Sequence, residues 1–192
     1  GRGKTETSKK MAVKSSAIYL PPWNQRSPLM LLKELCFELA KETPGRIDSC
    51  LNVISREMTR ERRLVIVDEA DLLPYSILEM LRNLNERYSC PIILIGEAGL
   101  EGKLGARRRL SSRIRWKMEF KPVTQADISL YFRKALDLEI SASDTALVQR
   151  HCKGDWRPVL TLAVSIHRAM RASGLNELPK GLVRQVIDER GE

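Results

Sequence analysis

Two uninterrupted apolar runs, Leu64-Val65-Ile66-Val67 and Pro91-Ile92-Ile93-Leu94-Ile95-Gly96, interrupt a chain whose apolar positions otherwise recur at helical spacing. Short runs of β-favouring residues without polar alternation suit strands covered on both faces of a parallel sheet. Ser16-Ala17-Ile18-Tyr19-Leu20 reads as a shorter strand, closed by Pro21-Pro22. Ahead of it, Gly1 to Ser15 reads as a glycine loop feeding a helix. Ser27 and Pro28 then make a helix start, and Leu29, Leu32, Leu35, Cys36 and Leu39 give that helix one apolar face until Thr43-Pro44-Gly45. Ile47, Leu51, Ile54 and Met58 mark another, with Arg60–Arg63 as its solvated end. Pro74 opens a third, whose Ile77, Leu81, Leu84 and Tyr88 face inward. The order helix, strand, helix, helix, strand, helix, strand predicts a parallel sheet with right-handed crossovers.

After Gly96 the pattern changes. Gly99, Gly102, Lys103, Gly105, Arg107, Arg108, Arg109 and Arg113 form a glycine- and arginine-rich connection. Arg115 to Phe120 alternates and predicts a last strand, broken by Pro122. From Thr124 the spacing is purely helical. Thr124 and Asp127 form a capping pair. Ser143 is expected to cap a second helix that ends near Gly154. Asp155 caps a third carrying Val159, Leu162, Ala163, Ile166 and Met170, stopped by Gly174; Pro179 to Ile187 makes a fourth. The expected domains are an α/β core over 1–120 and a small helical domain over 121–192.

Composition narrows this picture. With 43% hydrophobic and 30% charged residues the chain is globular. No apolar run approaches the ~20 residues of a membrane-spanning helix, and no secretory signal is visible. Cys36, Cys50, Cys90 and Cys152 form no Cys-x-x-Cys pair and only two histidines accompany them, so neither a zinc site nor a disulfide framework is expected. A net charge of +9 favours a polyanionic partner, most simply nucleic acid.

The candidate chemistry lies at two places. Gly1-Arg2-Gly3-Lys4-Thr5 holds the Gly-Lys-Thr tail of a phosphate-binding loop, so residues ahead of Gly1 are expected in the natural protein. In such a loop, backbone N–H groups and a helix N-terminus cradle phosphates, Lys4 neutralises the β- and γ-phosphates, and the Thr5 hydroxyl ligates magnesium. The nucleotide-binding set is Gly1, Gly3, Lys4, Thr5 and Glu6. The strand Leu64–Val67 ends in Asp68-Glu69-Ala70-Asp71, at the carboxyl edge where open α/β sheets take ligands. Asp68 suits a magnesium contact and Glu69 a general base for the attacking water. Asp71 is expected to cap the turn into the next helix.

Together, Gly-Lys-Thr, Val-Asp-Glu-Ala at a strand end, a later apolar strand, an arginine cluster and a helical tail resemble the AAA+ ATPase superfamily. The resemblance implies a P-loop NTPase parallel-sheet core, truncated at its N-terminus and followed by an all-helical lid, with ATP and Mg2+ as cofactors. It implies an arginine finger reaching a neighbouring subunit's nucleotide, with Arg113 first and Arg109 second, a guanidinium being suited to developing phosphoryl charge. It makes Arg157, in Lys153-Gly154-Asp155-Trp156-Arg157, the second sensor. Glu97 stands where the family places a neutral polar sensor, so it is expected to point away from the γ-phosphate, with slow hydrolysis. Within the superfamily the chain is similar to transposition ATPases of the phage Mu B, TnsC and TniB kind, on Tyr19-Leu20-Pro21, the Leu29–Leu39 helix and Leu94-Ile95-Gly96-Glu97. That likeness implies a cytoplasmic, assembly-dependent ATPase that forms rings or filaments on duplex DNA and recruits a transposase or another recombination protein, with no membrane role. Arg26, Lys103, Arg107 and Arg108 are its DNA-facing candidates. The alternatives are a loader or regulator acting on protein partners, origin-recognition-like or secretion-associated, and a nucleotide sensor that does not hydrolyse.

Overall fold

The computed structural model describes residues 1–21 and 27–190. It forms two compact units, one of Lys4–Met118 and one of Gly1–Gly3 with Glu119–Glu192. The first is α/β. Helix α1 (Lys4–Ser15) turns through Ser16, at φ +50°, into β1 (Ile18–Leu20). Helix α2 (Pro28–Ala40) starts where the Ser27 hydroxyl accepts the Met30 N–H at 3.3 Å and ends at Lys41 in the left-handed region, ahead of the Thr43-Pro44-Gly45 stop. Helix α3 (Ile47–Arg60), β2 (Val65–Val67), α4 (Tyr75–Tyr88) and β3 (Ile92–Leu94) follow, with a 3-10 turn at Ala70–Leu72.

The sheet order is β1-β2-β3, parallel throughout, with Ile18, Val65 and Ile92 level with one another and Leu20, Val67 and Leu94 level at the far end. The central β2 is buried along its length, as its unbroken apolar run requires. Ile18 and Leu20 of β1, Leu31, Leu32 and Leu35 of α2, Ile54 and Met58 of α3, and Ile77, Leu78 and Leu81 of α4 close around it as one core. The thiols belong to such packing. Burial pushes Cys36 up to about 12 and Cys90 and Cys152 up to about 11, so they stay protonated and inert as thiols.

Residues 99–113 are more ordered than their composition predicts. They hold two short helices, α5 (Gly99–Gly105) and α6 (Arg108–Ser111), anchored by buried Leu100, Leu104 and Leu110. The strand expected over Arg115–Phe120 does not form. Its alternation is genuine, but it pairs with no described strand, and Trp116 and Met118 are 91% and 88% exposed. Alternation supplies a face; a ladder also needs a neighbouring edge.

The helical unit holds α7 (Gln125–Leu136), α8 (Ala142–Cys152), α9 (Trp156–Ala172) and α10 (Leu182–Arg190) around Ile128, Phe132, Val148, Val159, Leu162, Ile166 and Val183. The cap of α8 is Ser141 and not Ser143. Ser141 keeps extended backbone and accepts the Asp144 N–H at 3.1 Å, whereas Ser143 already lies inside the helix. Gly154, at φ +74°, is obligatory in a second way: a Cβ there would stand 2.6 Å from the Cβ of Pro122.

At the start of α7 the capping box is complete. The Thr124 hydroxyl accepts the Asp127 N–H at 3.2 Å, and the Asp127 carboxylate accepts the Thr124 hydroxyl at 2.7 Å and its N–H at 2.9 Å. Those two bonds hold the Asp127 carboxyl below its ordinary range. A carboxyl depressed in the folded state stabilises fully above the unfolded value near ~4 and loses that contribution as pH falls through the lower folded value. Thr124→Ala should therefore weaken α7 by about 1 kcal/mol at neutral pH, measured by amide hydrogen exchange, and the deficit should shrink on acidification below about pH 4. Equal deficits at both ends of that range would show that the carboxylate has no part in the cap.

Candidate nucleotide site

Three parallel strands in register bring their carboxyl ends to one edge. The main-chain bonds run on past the strands: Asp68 N–H donates to Leu20 O at 3.1 Å, Ile95 N–H to Val67 O at 2.9 Å and Ala70 N–H to Ile95 O at 2.7 Å. Helix α1 leads directly into β1 and reverses direction to do so, which returns its N-terminus, with Lys4 and Thr5, to the same edge. An ion pair lies at this edge: Lys4 Nζ is 2.9 Å from Glu97 Oε1, just past β3. Glu97 thus turns its carboxylate onto Lys4, the lysine of the Gly-Lys-Thr run. Thr5 is half-buried and Glu6 exposed in the first turn of α1, where a helix N-terminus favours anions.

Asp68 is 4% exposed, although it carries the charge expected to meet a cation. Its carboxylate is held at both oxygens. Tyr19 Oη donates to Oδ2 at 2.7 Å and the Glu69 main-chain N–H donates to Oδ1 at 2.9 Å. Burial raises the Tyr19 phenol, and the bond to Asp68 raises it further, so the hydroxyl keeps its proton and remains a donor. One donor per oxygen leaves lone pairs on each. Glu69 sits in the left-handed region at φ 48°, ψ 39°, with its side chain exposed; such backbone in a non-glycine residue is uncommon and collects at functional sites. A buried carboxylate and a threonine hydroxyl are hard oxygen donors. Magnesium is held by one or two protein oxygens together with phosphate oxygens and water, so Thr5 and Asp68 fit it.

Asp71 does not cap α4, which begins after Pro74 without a side-chain cap. Its Oδ1 instead accepts the Glu97 N–H at 3.0 Å. Gly96 makes this approach possible, since a Cβ there would lie 2.5 Å from that oxygen. Asp71 O in turn accepts Lys103 Nζ at 2.6 Å, and Tyr75 Oη donates to Lys103 O at 3.2 Å. The Arg107 guanidinium stacks over the Tyr75 ring at 4.6 Å. Tyr19, Asp71 and Tyr75 are contributors that residue patterns alone did not single out for these roles.

Arg113 Nε pairs with Glu86 Oε1 of α4 at 2.7 Å. Arg108 and Arg109 are exposed on α6. Arg157 is exposed at the start of α9 in the helical unit, its N–H bonded to the Asp155 cap at 2.9 Å. Gly1 and Gly3 also belong to that unit; Gly1 O accepts the Trp156 N–H at 3.0 Å, and Gly3 takes φ +84°. Arg26 lies outside the described residues. Among the described residues no helix is long and apolar enough to cross a membrane.

The sequence pattern of the AAA domain family matches residues 1–104. The chain is 29% identical over 134 residues to a "Potential ATP-binding protein" of Staphylococcus aureus, covering 65% of this chain and 49% of that protein. It is 30% identical over 137 residues to the "ATP-dependent target DNA activator B" of Escherichia phage Mu, covering 67% and 44%. With the "Mu-like prophage FluMu DNA transposition protein B" of Haemophilus influenzae it shares 34% over 99 residues, covering 50% and 34%. The chain thus spans about half or less of the length of these relatives. Among solved structures, the Aeropyrum pernix ORC1 protein in complex with DNA superposes with TM-score 0.60 at 16% identity, over 99% of this chain and 57% of that one. The Thermotoga maritima RuvB Holliday junction branch migration motor gives 0.57 at 16%, over 97% and 69%. At that identity the likeness establishes the fold, and the match of the family pattern over more than half the chain establishes the rest: this protein belongs to the AAA domain family of AAA+ ATPases, with sequence relatives of the Mu B kind.

Proposed function

We propose that the chain is the nucleotide-binding part of an ATP-hydrolysing AAA+ protein of DNA transposition, one that assembles as a homo-oligomer on duplex DNA and recruits or stimulates a transposase. The observation that carries this reading is the meeting of α1 and the sheet: Lys4 ion-pairs at the end of β3, while Asp68 and Glu69 leave the adjacent β2. Lys4 draws the β- and γ-phosphates. Thr5 and Asp68 hold magnesium, which when bound neutralises phosphate charge and orients the phosphoryl group. Glu69 takes the proton of the water that attacks the γ-phosphoryl, giving ADP and phosphate. Arg113 or Arg109 is offered to the nucleotide of a neighbouring subunit, and Arg157 acts as the second sensor from the lid, residues 121–192.

Charge supports the DNA part. Lys4–Met118 holds 21 basic and 14 acidic residues, against 12 and 10 in the other unit, so most of the net charge sits on the α/β unit. Binding to backbone phosphates is salt-dependent and poor in sequence preference. Arg107 and Arg108 are the exposed candidates, and Arg26 is a candidate by sequence alone; the Lys103 ammonium is engaged on Asp71 O and serves DNA indirectly, by holding α5.

Three outcomes test the reading in the full-length protein. Glu69→Gln should keep ATP affinity and lower turnover by about 100-fold or more, the usual contribution of a positioned general base; unchanged turnover would leave a nucleotide sensor that does not hydrolyse. Glu97→Gln removes the carboxylate that competes with phosphate for Lys4. ATP should then bind about two- to fivefold more tightly, the scale of a largely exposed ion pair, in a fluorescent-nucleotide titration. The double change Arg107→Glu, Arg108→Glu should weaken duplex binding for all sequences alike. It should also flatten the slope of log affinity against log salt by about one for each phosphate that is no longer neutralised. Unaltered DNA affinity would favour another DNA-facing side or a regulator of protein partners.

A further inference from the structure

Tyr19 has no part in the hydrolysis proposed for this site, yet its placement is specific. Parallel register sets Tyr19 opposite Ile66. Side chains alternate along a strand, so Ile66 and Asp68 share a face, and Tyr19 shares it with them. Asp68 stands two residues beyond the level of Tyr19, a diagonal that an aromatic side chain spans and a shorter one does not. The result is a 2.7 Å bond from a half-buried phenol to a carboxylate that is 4% exposed.

Among the described residues, two hydrogen bonds hold the Asp68 carboxylate. Its Oδ1 is fixed by the N–H of its own neighbour, Glu69. A single bond at Oδ1 defines a pivot, not a plane, for the carboxylate. Among the described residues, Tyr19 supplies the hydrogen bond that holds Oδ2. With both in place the plane of the carboxylate is set, and so are the directions of its remaining lone pairs.

We propose that Tyr19 is a positioning residue for the magnesium site: its hydroxyl sets the orientation in which Asp68 presents its carboxylate to the ion or to the ion's water. The proposal rests on the reading of Asp68 as a magnesium contact. Partners of this outer kind fix the geometry of a metal ligand, and removing one typically lowers metal affinity by about 10- to 100-fold.

Tyr19→Phe deletes only the donor and keeps the ring in the packing. The experiment uses the full-length protein with a non-hydrolysable ATP analogue and follows free Mn2+, a spectroscopic stand-in for magnesium, by electron paramagnetic resonance. Tyr19→Phe should weaken Mn2+ binding by about tenfold, while nucleotide affinity in excess EDTA stays at the parent value. Replacing Tyr19 by 3-fluorotyrosine keeps the donor and should keep the parent Mn2+ affinity, which guards against a phenylalanine variant that folds poorly. Asp68→Asn separates the role of Tyr19 from that of the carboxylate it holds. If Asp68→Asn weakens Mn2+ binding and Tyr19→Phe does not, Tyr19 is an ordinary core tyrosine that has found a partner, and the proposal is overturned. If neither variant changes Mn2+ affinity, the assignment of Asp68 to the metal fails and the proposal with it. A fall in melting temperature with unchanged Mn2+ affinity likewise overturns it.

Discussion

The register of three short parallel strands is the constraint on which the α/β unit depends. Ile18, Val65 and Ile92 begin level and Leu20, Val67 and Leu94 end level, so the residues that follow each strand emerge at one edge. A slip of one residue in β1 would turn Tyr19 to the opposite face and expose Ile18 and Leu20, both buried in the core. The apolar pattern and the chemical site therefore specify the same register. Because α1 reverses into β1, Lys4 and Thr5 of the Gly-Lys-Thr run return to that edge without any further device.

Lys4, Asp68 and Asp71 at the edge each meet a local partner. Asp68, nearly buried, is satisfied by two hydrogen bonds, as a desolvated carboxylate must be. Lys4 rests on Glu97. Asp71 ties the main chain after β3 to the turn after β2 and, through its carbonyl, receives Lys103 of α5. These contacts form one connected set from α1 to the arginine-bearing segment, with Arg107 stacked on Tyr75 at its far end.

Much of this protein is written in local sequence. Helices α2, α3, α4, α7 and α9 follow from apolar spacing and from the caps at Ser27, Thr124 and Asp155. The central strand follows from its unbroken apolar run, and the candidate site was legible in Gly-Lys-Thr and Asp-Glu because each is a contiguous motif. The cap of α8 lies two residues before the serine that spacing suggests, because Ser141 and Ser143 are equivalent as residues and differ only in backbone conformation.

Other features depended on which segments lie side by side in space. Tyr19 and Asp68 are 49 residues apart in the chain, and Lys4 and Glu97 are 93 apart; no local period links them. Asp71 reads as a turn cap by residue type, yet it binds Glu97 N–H because strand register brings that group near and Gly96 leaves room. Arg115–Phe120 has the alternation of a strand and forms none, since pairing is a property of two segments and not of one. The sequence by itself determined most of the elements and the family, set by propensity, burial and spacing. Only the tertiary structure decided which charges face each other, because those pairings come from parallel register and close backbone approach, which no single segment encodes.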